Sequence, residues 1–328
     1  MLTDVLEYYG LNYSFRRFGF KEAFQTKQTE KLEKDLKTAV CHGNLVVIAG
    51  MMGIGKTTTI KMIKENLAKG NEVQVCQSLS LEKQKVNLVT LMTAIFNDIA
   101  TNKGLKLPSQ QERRERALCD LIGKSKKPVA LFIDEAHDLN GHTLIGLKRL
   151  IETVQEFSKG TLAIVLVGHP RLKNAMCRAR MEEIGARTEI LEVEGMQEEE
   201  RRAYTSWLVG KCKKKNVKNS EIIESEAINF IANRLTTPLQ IEQALELATS
   251  NGFKIGQKPI TADLIEMSIA LDINDIEAKL ARFGYSTNSV AEVLNIKPAE
   301  AKKFVRGKLA STRFDELSQS LKAAGIPL

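Results

Sequence analysis

Gly50-Met-Met-Gly-Ile-Gly-Lys-Thr57 decides how this chain is read. The stretch has the spacing G-x-x-x-x-G-K-[ST]. An apolar run, Leu45–Ala49, precedes it, and a helical stretch, Thr57–Ala68, follows and closes at Gly70. Gly50, Gly53 and Gly55 admit backbone conformations barred to residues with a Cβ, so the loop amides are expected to turn inward. Together with the helix N-terminus those amides form a positive cradle for phosphate oxygens. Gly50, Met51, Met52, Gly53, Ile54, Gly55, Lys56, Thr57 and Thr58 are the candidate triphosphate-binding residues. Lys56 has the reach for the β- and γ-phosphates, and the Thr57 hydroxyl is a ligand for Mg²⁺.

A second motif follows, Val129-Ala-Leu-Phe-Ile-Asp-Glu-Ala-His137. A hydrophobic strand here ends in adjacent carboxylates. Asp134 is placed to hold the Mg²⁺ shell, and Glu135 to orient and polarise an attacking water. A catalytic Glu beside the metal Asp favours water over a small-molecule acceptor, so hydrolysis of a nucleoside triphosphate is expected rather than kinase chemistry. A third apolar run, Leu162–Val167, leads into Gly168-His-Pro-Arg171. His169 is the candidate there for holding the γ-phosphate or the lytic water.

Working outward, apolar strands alternate with helical stretches up to Thr188–Val193. That rhythm predicts a parallel sheet with helices on both faces. After Gly195 the strands stop and helices follow, with a further break near Asp272–Asp275. The expected organisation is therefore an α/β nucleotide-binding domain with an N-terminal extension over 1–195, a helical lid over 196–272 and a helical module over 273–328. The 328 residues suit two or three domains, and 43% hydrophobic with 27% charged residues is a soluble globular composition. No apolar run approaches the ~18 residues of a membrane helix. The N-terminus lacks the basic-then-apolar order of a signal peptide, so a cytoplasmic protein with no membrane partner is expected. The five cysteines include no Cys-x-x-Cys pair, and the four histidines show no metal-ligand spacing.

The phosphate loop, Asp134-Glu-Ala-His137 and Val167-Gly-His-Pro-Arg-Leu172 together resemble the AAA+ ATPases of the ExeA/TnsC/TniB/MuB group, whose best-known members regulate transposition. Leu6-Glu-Tyr-Tyr-Gly-Leu11 is similar to the opening of ExeA-type ATPases, and Met181–Ile190 to the family's approach to its fifth strand. The resemblance implies ATP and Mg²⁺ as cofactors, His169 as the sensor-1 residue, and a homo-oligomer, a ring or helical filament. An arginine finger would come from Arg187, or from Arg178 or Arg180. A sensor-2 arginine is missing from Thr236-Thr-Pro-Leu-Gln240, leaving Gln240 or Arg234 as substitutes. Phe20, Phe24 and Thr26 are candidates for the adenine.

Double-stranded DNA is the expected partner. The net charge is +8, and residues 201–218 hold seven basic and no acidic side chains. Lys213, Lys214 and Lys215 there, with Lys83 and Lys85 in the loop after the second strand, are the candidate phosphate-backbone contacts. Residues 286–306 suggest a helix-turn-helix carrying Lys302, Lys303 and Arg306, or else a module that docks onto protein. The expected function is an ATP-dependent DNA-binding regulator that selects target DNA and recruits or stimulates a transposase or other recombination protein. The alternative is a nucleotide switch acting through protein partners in secretion or signalling.

Overall fold

The structure is a computed structural model. It describes residues 2–18, 23–78, 86–100, 107–176, 188–269 and 276–326. The chain divides into two compact units, one of Lys27–Gly50 with Thr59–Val193, the other of Met1–Thr26, Met51–Thr58 and Glu194–Leu328.

The first unit is built on five parallel strands. They are β1 (Leu45–Gly50), β2 (Gln74–Gln77), β3 (Val129–Ile133), β4 (Leu162–Gly168) and β5 (Thr188–Val193), in the order β2-β3-β4-β1-β5. Position in the sheet follows composition. The uninterrupted apolar runs β1, β3 and β4 are buried along their whole length and take the centre. The partly polar β2 and β5 are the edges, each with only one fully buried residue. A strand with helices on both faces must be apolar on both sides, whereas an edge tolerates alternation. The register runs Val46 opposite Val165 and Leu131 opposite Ile164, so β4 lies between β3 and β1 and all three end on one edge of the sheet.

The helices of this unit are α3 (Lys27–His42), α4 (Lys56–Lys69, which begins in the other unit), α5 (Leu88–Ile99), α6 (Gln111–Lys124), α7 (Gly141–Phe157) and α8 (Pro170–Met176). Two of them start on asparagine caps. Asn87 accepts from the Thr90 amide, and Asn140 from the Thr143 amide at 2.8 Å. Each such cap is worth about 1 kcal/mol. The Thr143 hydroxyl also donates to the Val86 carbonyl, which ties the start of α7 to the segment before α5. Leu91, Ile95, Leu118, Ile122, Leu147 and Val154 close one core with the central strands.

The second unit is helical. It begins with α1 (Leu2–Tyr9) and α2 (Phe15–Phe18), and continues with α9 (Glu198–Cys212), α10 (Ser225–Arg234), α11 (Pro238–Ile255) and α12 (Ala262–Ser268). Tyr9 and Phe15 are fully buried among Leu208, Ile231, Leu245 and Ile265. The Tyr9 hydroxyl donates to the Gln257 carbonyl, and the Phe15 amide to the Glu246 carboxylate. Residues 2–18, with Phe24, therefore share a core with the helices after Glu194. Helix α11 starts on a Thr237 capping box with Pro238 in its first turn, and ends on Gly256 at φ 71°.

A separate cluster is formed by α13 (Ile276–Arg282), α14 (Thr287–Leu294), α15 (Pro298–Val305) and α16 (Ser311–Ala323) around Leu280, Val290, Phe304 and Leu321. Asn295 closes α14 in the left-handed region, and α15 begins three residues later at Pro298, giving a helix, a tight turn and a helix. Lys302, Lys303 and Arg306 are exposed on it.

One buried polar contact in the helical unit sets a pH dependence. The Tyr204 hydroxyl donates to Glu242 at 2.6 Å, and burial pushes the Glu242 carboxyl above the usual carboxylate range. A carboxyl raised in the folded state costs stability as pH climbs past its ordinary value toward the raised one. Glu242→Gln keeps an acceptor for Tyr204 and removes the charge. Its melting temperature relative to the native chain is expected to be higher at pH 8 than at pH 4.5, as followed by circular dichroism.

Candidate functional site

The phosphate loop leaves the sheet at Gly50. That glycine is the last residue of β1 and pairs in register with Val193. Its backbone is extended, so the expectation of a barred conformation holds for Gly53 (φ 78°) and Gly55 (φ 93°) but not for Gly50. The strand ladder fixes Gly50 before the loop begins to turn. Lys56 opens α4 and is buried, with its ammonium donating to the Met51 carbonyl at 2.9 Å. Thr57 follows on an exposed face of the same first turn.

Two other segments of the helical unit meet this loop. The Leu239 amide donates to the Gly53 carbonyl, and the Met52 amide to the Arg282 carbonyl at the end of α13 at 2.8 Å. A Cβ on Gly53 would lie 2.8 Å from Leu239 Cβ and 3.3 Å from the Thr237 hydroxyl. Gly53 thus has both a steric and a conformational reason to be glycine. Gln240, a proposed sensor-2 substitute, is committed elsewhere: its side-chain oxygen accepts from the Thr236 and Thr237 amides and caps α11.

In the α/β unit, the ends of β3 and β4 bring the acidic and imidazole groups together. Asp134 follows β3, and its carboxylate accepts from the Glu135 amide at 2.9 Å. Glu135 stands in the left-handed region at φ 52°, a conformation costing roughly 1–2 kcal/mol for a residue with a Cβ. Backbone strain of this kind concentrates at functional positions. A single 3-10 turn, Ala136–Asp138, then aims His137 back at Glu135, with Nδ1 3.2 Å from Oε2. His169, at the end of β4, brings Nε2 to 3.9 Å from the same oxygen. The two imidazole rings lie 4.0 Å apart, tilted by 50°. Gly168 makes room for this, since a Cβ there would stand 3.3 Å from His137 Nδ1.

Asp134, Glu135 and His169 are the residues the sequence motifs point to, and His137 is an addition that the motifs do not assign. His137 stands in the second place after the acid pair, but only the β3–β4 pairing shows that it faces His169. Arg178, Arg180, Arg187, Lys83, Lys85 and Phe20 lie outside the described residues. Phe24 is used in packing, with its ring 5.6 Å from Tyr204 and 5.4 Å from Trp207.

The basic run after Arg201 is partly structural. The Arg201 guanidinium donates to the carbonyls of Ala232 and Met196, Arg202 pairs with Glu198, and the Lys213 ammonium donates to the Val217 carbonyl. Lys214 and Lys215 are exposed.

Substitution at Gly53 separates strain from composition. Gly53→Ala is expected to lower stability by about 1–3 kcal/mol. Gly141→Ala, where a Cβ meets nothing within 4 Å, is expected to be neutral or slightly stabilising. Urea denaturation of the two variants checks the contrast.

The comparisons with known proteins agree with this arrangement. Residues 41–176 match the family profile described as "AAA domain". No curated protein sequence matches the chain. Among solved structures, the ORC2 protein of Aeropyrum pernix in ADPNP–ADP complexes is similar over 97% of this chain and 89% of its own, at 15% identity and a TM-score of 0.57. Cdc6p of Pyrobaculum aerophilum is similar over 98% of this chain and 90% of its own, at 14% identity and a TM-score of 0.53. The chain therefore has the AAA+ fold, a P-loop α/β sheet followed by helices, and the part of it over residues 41–176 is similar to AAA domains.

Proposed function

We propose that the chain is an ATP-hydrolysing, DNA-binding AAA+ regulator of the ExeA/TnsC/TniB/MuB type. It would assemble on double-stranded DNA as a ring or helical filament, mark target DNA and recruit or stimulate a transposase or other recombination protein. The observation that carries the hydrolytic part is topological. β1 and β3 flank β4, so the phosphate loop and the Asp134–Glu135 pair leave the sheet from the same edge. The nucleotide-bound ORC2 protein of the same fold supports ATP as the ligand.

The residues suit that ligand. Gly53 and Gly55 provide left-handed turns that direct amides inward, and Lys56 is already folded over its own loop. Thr57 and Asp134 are an oxygen pair of the kind that holds Mg²⁺, which when bound neutralises charge on the β- and γ-phosphates. Glu135 orients the water and accepts its proton, while His169 and Lys56 hold the γ-phosphate. Arg187, or Arg178 or Arg180, would reach a neighbouring subunit's nucleotide, which makes turnover depend on assembly. Residues 196–272 act as the lid and 273–328 as an accessory module.

DNA would be held through its backbone by Lys214 and Lys215 on the lid and by Lys83 and Lys85, while Lys213 is held by the Val217 carbonyl. The exposed Lys302, Lys303 and Arg306 on α15 and just beyond it support a DNA contact by the accessory module as well.

Two substitutions and one binding assay test this reading. Lys56→Ala is expected to abolish binding of a fluorescent ATP analogue. Glu135→Gln is expected to bind it normally, lose at least about 100-fold in turnover and trap assemblies visible by electron microscopy. Gel shifts on duplex DNA are expected to need ATP. Equal weak shifts with ATP, ADP and no nucleotide would defeat the DNA reading, and assembly with ATP that ignores DNA would favour a switch acting through protein partners.

A further inference from the structure

We propose that Glu135, His137 and His169 form a binding site for one divalent transition-metal ion of the zinc type, distinct from the Thr57–Asp134 pair. Among the described residues this is the one group of three or more His, Cys, Asp or Glu whose donor atoms converge, all within 4.8 Å of one another. The separations already approach those of a bound site. Glu135 Oε2 lies 3.2 Å from His137 Nδ1 and 3.9 Å from His169 Nε2. Ligands at ~2.0–2.1 Å in a tetrahedron stand roughly 3.3–3.5 Å apart.

Three features preorganise the set. The Glu135 backbone is held left-handed over Asp134, His137 stands on a single 3-10 turn, and His169 is buried at the end of β4 ahead of Pro170. The nitrogen aimed at Glu135, His137 Nδ1, is buried and makes no well-aligned hydrogen bond, although that carboxylate lies 3.2 Å away. Withdrawn from water without a hydrogen bond, that nitrogen gains by coordinating a cation. Glu135 itself is half exposed, which leaves a fourth position for water and a path for an ion. Two imidazoles and one carboxylate select zinc, cobalt or nickel over magnesium, which prefers oxygen ligands throughout.

One consequence rests on the proposed hydrolytic reading. A metal on the Glu135 carboxylate removes it from the water it would activate, so occupancy stops turnover while the phosphate loop still binds nucleotide. Metal binding itself does not depend on that reading.

The full chain, free of nucleotide, is titrated with Zn²⁺ against a chromophoric chelator, and with Co²⁺ followed by its visible spectrum. One equivalent is expected. His137→Ala and His137→Gln are each expected to weaken Zn²⁺ binding about tenfold or more, by analogy with the losses on disturbing metal-site support. Both should melt as the native chain does, while Cys41→Ser changes nothing. Mg²⁺-ATP turnover, where present, is expected to be inhibited by Zn²⁺ in the native chain and resistant in His137→Gln. Zinc binding unchanged in both His137 variants overturns the site. Histidine-dependent zinc binding without any ATP turnover leaves the site standing and sinks the hydrolytic reading instead.

Discussion

The parallel pairing of β4 between β1 and β3 is the constraint on which the molecule's chemistry depends. Parallel strands all point their carboxyl ends the same way, so whatever follows each strand is delivered to one edge. Here that edge receives Gly50, Ile133 and Gly168. Each central strand can be wholly apolar because helices cover both faces, and the polar residues of the site are pushed into the turns beyond the strand ends. Burial and function are thereby separated by a single peptide bond at each position.

Much of this was legible along the chain because a phosphate loop and a strand ending in acids are local patterns. Val129–Ile133 was bounded correctly by its apolar run, and Leu162–Val167 gained only Gly168. What escaped reading was long-range. Gly252 in the local sequence reads as a helix stop, yet α11 runs on to Ile255. The glycine is there for the Tyr9 hydroxyl, which a Cβ would meet at 2.1 Å, and nothing near Gly252 in the sequence announces Tyr9. The facing of His137 and His169 is likewise a product of strand pairing, invisible to any rule about ligand spacing. Gly50 differs for the opposite reason: a glycine in a loop motif reads as loop, and the β5 pairing keeps it in the strand.

Charge was the least informative signal. The run after Arg201 looks uniform in the sequence, but Arg201 and Lys213 are spent on backbone carbonyls and Arg202 on Glu198. A guanidinium that supplies hydrogen bonds to carbonyls left open between helices acts as a scaffold, and its charge is only partly available to a partner. The same applies to Gln240, whose apparent place at the start of a lid helix proves to be a capping role.

The shared core of residues 2–18 and Phe24 with the helices after Glu194 has a consequence for how the chain is made. On a ribosome, the α/β unit can collapse once Val193 has emerged, using contacts within its own span. Tyr9 and Phe15 must wait, because Gln257 and Glu246 leave the exit tunnel much later. The closing contacts span 248 and 231 residues, and loop entropy grows only slowly with such length, so the delay is one of timing more than of equilibrium. Until then the apolar face that Tyr9 presents has no partner to cover it.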